Sequence, residues 1–187
     1  MLGPTDTLPR APRRILIAGV SGAGKSTLAI QLASRLGIPY TDIDALYHGP
    51  NWTRREEFYA DVDAMIGGPA WVTEWQYRSV RPRLAARADI LVWLDFPIRV
   101  WMPRLVRRRV QRRRGAEVLW AGNVEAPLWH LLTGRDHVLA WTVRTHRDYR
   151  TLILELENAA PRLQVVRLRT PREVELWLRR LPAQAAD

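Results

Sequence analysis

Residues 13–36 read RRILIAGVSGAGKSTLAIQLASRL, and this stretch limits what the chain can fold into more than any other. An apolar run over 13–19 is followed by a glycine-rich turn. Leucines at 28, 32 and 36 then recur every fourth residue up to Gly37. The order is buried strand, glycine loop, helix. Within it Gly19, Gly24, Lys25 and Ser26 satisfy the GxxxxGK[ST] spacing, with Ser21, Gly22, Ala23 and Thr27 completing the loop. Glycines let such a loop turn tightly and present amide hydrogens to phosphate oxygens, and the following helix N-terminus adds positive potential. Lys25 is the only lysine among 29 Lys and Arg residues. A phosphate cradle explains the exception: it needs a compact charge on a flexible stem, where a planar guanidinium is too bulky. Ser26 would supply a hydroxyl to a magnesium ion, and Thr27 would reach the α-phosphate.

Downstream, apolar runs alternate with helical patterns. IPYTDID (38–44), AWVTEW (70–75), DILVWLDFP (89–97) and RLQVVRL (162–168) read as four more strands. Helices are expected over REEFYADVDAMI (55–66), about 98–113, about 135–157 and a last segment N-capped by Thr170, with Pro171 in its first turn. Strands separated by helices imply an α/β fold, a parallel sheet covered on both faces as a three-layer sandwich. The 187 residues, 47% of them hydrophobic, suit one domain over 13–182, with a disordered leader at 1–12 and a tail at 183–187. The chain lacks cysteine, which excludes disulfides and thiolate metal sites and agrees with a cytoplasmic setting. No apolar run approaches membrane-spanning length, so no membrane association is expected. Net charge is +10, but residues 104–114 hold seven arginines and no acid, and removing seven leaves +3. The basicity is local.

The segments GVSGAGKSTLAIQLASRLGIPYTDIDALYHGPNW, WVTEWQY and ADILVWLDFP, with LWAGNVE and AWTVRTHRDYR further on, resemble the small bacterial P-loop proteins related to adenylate kinase known as topology modulation proteins. The likeness covers about residues 13–178. It implies a nucleoside-monophosphate-kinase-like fold with a five-stranded sheet of order 2-3-1-4-5 and a helical, arginine-rich lid over about 104–130. Asp44 matches the family's acidic position. In the related shikimate and gluconate kinases an Asp-x-Asp there serves the acceptor hydroxyl and a magnesium-bound water, which implies that Asp44 orients or deprotonates the acceptor and Asp42 supports the metal. The competing reading is that TDID merely caps a helix. Where the family shows Asp-Gly-Asn, this chain has Glu74, Trp75 and Gln76, then Tyr77, so two large aromatics enter the acceptor pocket.

Glu74 closes the strand expected beside the phosphate loop and is the third candidate for magnesium, with Ser26 and Asp42. Asp95 is expected to cap the next helix, and His48 to be a surface histidine. Trp52, Trp75 and Tyr77 would either stack a planar substrate or belong to the core. From Ile98 a helix would place Trp101, Met102, Leu105, Val106 and Val110 on one face, with Arg104 and Arg108 at its edge. Pro103 is expected to kink or restart it. Arg104, Arg108 and Arg112, with Lys25 and Asp44, are the candidate catalytic residues of a phosphotransferase using ATP and Mg2+ on a small-molecule acceptor. The other reading is an ATP-binding regulatory or nucleic-acid-associated protein whose arginine run tracks phosphate backbones.

Overall fold

The structure, a computed structural model, describes residues 1–8, 11–115, 118–124 and 138–181. The side chains of Arg113 and residues 138–147 lie outside that description, as do the expected tail at 183–187 and parts of the expected leader and lid.

Among the described residues four parallel strands form the sheet: β1 (Arg14–Gly19), β2 (Trp71–Glu74), β3 (Ile90–Leu94) and β4 (Gln164–Leu168), in the order β2-β1-β3-β4. β2 and β3 are buried at every residue and β1 at all but its first. Such continuous apolar runs are the mark of a sheet covered on both faces. The covering helices are α1 (Lys25–Leu36), α2 (Ile43–Tyr47), α3 (Phe58–Gly67), α4 (Arg81–Arg87), α5 (Ile98–Arg114), α6 (Val138–Ala159) and α7 (Pro171–Arg180). Leu28, Ala29 and Leu32 are the buried face of α1, and Gly37 closes it at φ 62. Thr170 caps α7 by accepting from the Glu173 amide.

The expected fifth strand is the main departure. Residues 38–44 form no strand; their backbone pairs with the sheet at a single parallel bridge, Tyr40 to Val72. The reasons are local. Pro39 has no amide to donate, and Asp42 turns the chain into α2 two residues after the bridge. The bridge still flanks β2 where the order 2-3-1-4-5 puts its first strand, so the topology loses a ladder but keeps its order. At the other edge Leu2 pairs with Val166, donating to the Val165 carbonyl and accepting from the Arg167 amide. Part of the segment expected as a disordered leader thus closes the β4 edge.

α5 runs through Pro103 without a break. Its buried face is narrower than the sequence pattern: Trp101 and Leu105 are buried, while Val106 is exposed. No helix among the described residues is long and apolar enough to cross a membrane.

Candidate functional site

The site lies at the carboxyl end of β1, where an open parallel sheet receives its ligands. β1 enters the loop at Gly19, whose φ is 153; a Cβ there would lie 3.2 Å from that of Leu94. Gly22, at φ 84, passes beneath α5 so closely that a Cβ would fall 2.5 Å from the Trp101 carbonyl oxygen. Gly24 caps α1 in the left-handed region at φ 97, with no side-chain cap and open space around it. The first-turn amides of α1 therefore have no side-chain acceptor to spend themselves on, which is the geometry of an anion cradle.

Lys25 folds back over this loop, its Nζ donating to the Val20 carbonyl at 3.4 Å. Burial pushes its pKa down. Asp44 and Glu74 oppose that shift, and Arg108 and Arg81 add to it. Five charged groups scattered over 84 residues of sequence thus share one electrostatic neighbourhood.

Glu74 ends β2 with 1% of its surface exposed. Its Oε1 accepts from Ser26 Oγ and from the Tyr40 hydroxyl, both at 2.9 Å. Its Oε2 is buried without a hydrogen-bond partner. Burial raises the Glu74 pKa, against the hydrogen bonds from Tyr40 and Ser26. A hydroxyl beside a carboxylate with an orphaned oxygen is a hard-oxygen set that suits magnesium. Among the described residues no cluster of three or more metal-ligating side chains surrounds it, so phosphate and water oxygens would complete the shell, as is usual for this ion. Asp42 is differently employed. Its Oδ1 N-caps α2 by accepting from the Asp44 amide at 3.0 Å, and its Oδ2 accepts from Trp120 Nε1 at 2.8 Å.

Asp44 is not the cap. It sits inside α2, where its Oδ1 accepts from Gln76 Nε2 at 3.0 Å and from the Tyr77 hydroxyl at 2.5 Å. Its Oδ2 has no donor among the described residues. Gln76 and Tyr77, which follow the end of β2, therefore hold the acidic residue. Tyr77 takes a left-handed φ of 55 and stacks on Tyr47, centroids 3.9 Å apart. With its proton on Asp44, the Tyr77 oxygen faces His48 Nε2 at 3.2 Å, and that nitrogen is assigned as the donor.

His48 is no surface histidine. It is half-buried against Trp120 at 5.5 Å between centroids, with Tyr47 and Trp52 edge-on, and burial lowers its pKa. Trp52 is half-exposed in this cluster, whereas Trp75 belongs to the core, 4% exposed. The segment 118–124 is fastened over the cluster by Asn123: its Oδ1 accepts from the Trp52 amide at 3.0 Å, and its Nδ2 donates to the Gly49 carbonyl at 2.8 Å.

Arg104, Arg108 and Arg112 recur every fourth residue and so follow one side of α5. Arg104 and Arg108 are exposed and Arg112 is half-buried. Arg108 is the member whose charge acts on Lys25. Asp95, at the end of β3, pairs with Arg167 and Arg150, which makes it a bridge between β3, β4 and α6. Sequence reasoning missed Tyr40 and Arg81, which belong to no motif, and read Gln76 only as a departure.

No family model matches the chain. Over 123 residues it is 40% identical to a bifunctional pantoate ligase/cytidylate kinase of Gloeobacter violaceus, a match covering 66% of this chain and 20% of that protein. The chain thus spans about one fifth of the relative's length. Among solved structures, a gluconokinase from Sinorhizobium meliloti 1021 superposes with a TM-score of 0.50 at 21% identity, covering 92% of this chain and 94% of that one. A sugar kinase from Janibacter sp. HTCC2649 gives 0.49 at 21% identity, covering 89% and 91%. Parallel sheet, glycine loop and whole-chain superposition agree: this chain has the fold of the small P-loop kinases.

Proposed function

We propose that the chain is an ATP-dependent phosphotransferase that moves the γ-phosphoryl group to a small acceptor, a nucleotide or a small hydroxyl compound. The observation that carries this reading is the Asp44 carboxylate, one oxygen tied by Gln76 and Tyr77 and the other without a donor among the described residues, within the field of Lys25. A magnesium ion held through Ser26 and Glu74 would neutralise charge on the phosphates. Loop amides and Lys25 bind the β- and γ-phosphates, and the acceptor approaches Asp44 from the α2 side. Its oxygen bonds to the γ-phosphorus as the bond from phosphorus to the β–γ bridging oxygen breaks, ADP leaves, and the acceptor proton passes to Asp44 Oδ2. The aromatic cluster of Tyr47, His48, Trp52 and Trp120 forms the acceptor wall in this reading. The relatives act on different acceptors by name, a cytidylate and a gluconate, so the wall rather than the likeness defines the substrate.

ADP release with ATP and Mg2+ across nucleoside monophosphates, sugar acids, polyols and amino sugars tests the proposal. Stimulation by one class, lost in Lys25→Ala, is expected. Nucleotide binding without stimulation by any acceptor, together with tight DNA binding, would favour the regulatory reading.

A further inference from the structure

Arg81 begins α4 at a place no motif marks. Its guanidinium carbon lies 4.8 Å from the Trp75 ring centroid and 5.1 Å from that of Tyr149. Its Nη2 donates to the Tyr149 hydroxyl at 3.0 Å, Tyr149 donates in turn to the Trp75 carbonyl at 3.4 Å, and Trp75 Nε1 donates back to the Arg81 carbonyl at 3.2 Å. This closed circuit is anchored to the sheet, because the Trp75 amide donates to Ile17 of β1 at 2.8 Å. Trp75 directly follows Glu74, so the circuit abuts the phosphate loop.

Two features set this arginine apart from a structural one. Cations removed from water are ordinarily paired with carboxylates, yet among the described residues no carboxylate forms an ion pair with Arg81, and its Nε is buried without a hydrogen-bond partner. Aromatic faces and a phenol stabilise a guanidinium without neutralising it. The charge is also not isolated: Lys25 feels Arg81 as a second cation, and Tyr149 feels both Arg81 and Asp44. A rigidly held guanidinium with no ion-paired carboxylate among the described residues, in a neighbourhood shared with Lys25, Asp44 and Glu74, keeps a donor for an oxyanion.

We propose that Arg81 is an oxyanion-binding residue of this site, held by Trp75 and Tyr149 to take a phosphate-class oxyanion on the acceptor side of the phosphate loop. The ligand comes either from the γ-phosphoryl group of ATP or from an anionic group on the acceptor. The proposal deepens the phosphotransferase reading and rests on its placement of the nucleotide.

Calorimetric titration of the parent, Arg81→Gln and Arg81→Lys with inorganic phosphate, ADP and a non-hydrolysable ATP analogue tests it. Arg81→Gln should weaken at least one oxyanion interaction about tenfold or more, the scale of a charge-assisted hydrogen bond, with ADP affinity unchanged. Arg81→Lys keeps the charge but loses the fork and should fall between. Loss confined to the ATP analogue assigns Arg81 to the γ-phosphoryl group. Loss of phosphate binding to analogue-loaded protein, with analogue affinity intact, assigns it to an anionic acceptor. If Arg81→Gln binds all three as the parent does, the residue is a packing clamp and the proposal is wrong. Should the parent bind no ADP, the nucleotide reading fails separately, and phosphate binding to nucleotide-free parent and variant still decides for Arg81. Should Arg81→Gln not fold, Arg81→Lys carries the comparison.

Discussion

A carboxylate accepts at two oxygens, and the difference between those of Asp44 is the most specific feature of the site. Oδ1 is fixed by Gln76 and Tyr77, while Oδ2 has no donor among the described residues and is the oxygen that the proposed mechanism turns to the acceptor. Asp44→Asn should lower phosphoryl transfer by about 10²-fold or more, the scale of a lost positioned base, while ATP affinity stays within twofold; steady-state rates with binding titrations check both. Glu74 offers a test by pH. Burial raises its folded-state pKa above the ordinary 4.5, so between those two values the folded state binds more protons than the unfolded state. Stability must then fall as pH rises from about 4.5 to the folded pKa, and level off above it. Melting curves of parent and Glu74→Gln from pH 4 to 9 should show that slope in the parent and a shallower one in the variant, because glutamine does not titrate. Parallel curves would mean that the buried carboxylate is not the source.

Elements succeed or fail here by what their ends can donate. β1, β3, β4, α1 and α7 were legible in the sequence, since long apolar runs, Gly37 and the Thr170–Pro171 cap encode them locally. The strand expected over 38–44 did not form, because Pro39 withholds an amide and Asp42 starts a helix, which is the competing reading of TDID as a cap. The loop residues of the site were legible from spacing alone. The donors to Asp44 were not, since Gln76 and Tyr77 reach it only after the end of β2 is brought against α2. The arginines of α5 were expected near the phosphates, but its close backbone contact with the loop was hidden, for it depends on the missing side chain of Gly22. Gly22→Ala would put a Cβ 2.5 Å from the Trp101 carbonyl oxygen on a backbone at φ 84. It should cost more than the roughly 1 kcal/mol of a strained left-handed residue and weaken nucleotide binding with it, measured by chemical denaturation and ATP titration. Stability and affinity both at the parent's level would mean that α5 does not rest on the loop.

At the scale of the whole molecule the charge is uneven, with seven arginines in residues 104–114 of a chain carrying +10. α5 seats Trp101 and Leu105 over the phosphate loop, and the charge of Arg108 acts on Lys25, which is what favours the proposed role of the arginine run in phosphoryl transfer. Arg108→Ala should therefore depress turnover far more than ground-state ATP affinity, the pattern of an interaction made in the transition state. A nucleic-acid footprint would instead give DNA affinity that falls with log salt at a slope of about −0.9 per phosphate contacted, and turnover untouched by the substitution. The central claim is that this site transfers a phosphoryl group rather than merely holding a nucleotide. Incubation with γ-labelled ATP and Mg2+ and the acceptor panel, followed by separation of products, tests it most directly. The account predicts label on an acceptor with the parent, none with Lys25→Ala, and a rate lowered by about 10²-fold or more with Asp44→Asn. Label recovered only as ATP or inorganic phosphate, whatever acceptor is supplied, would contradict it.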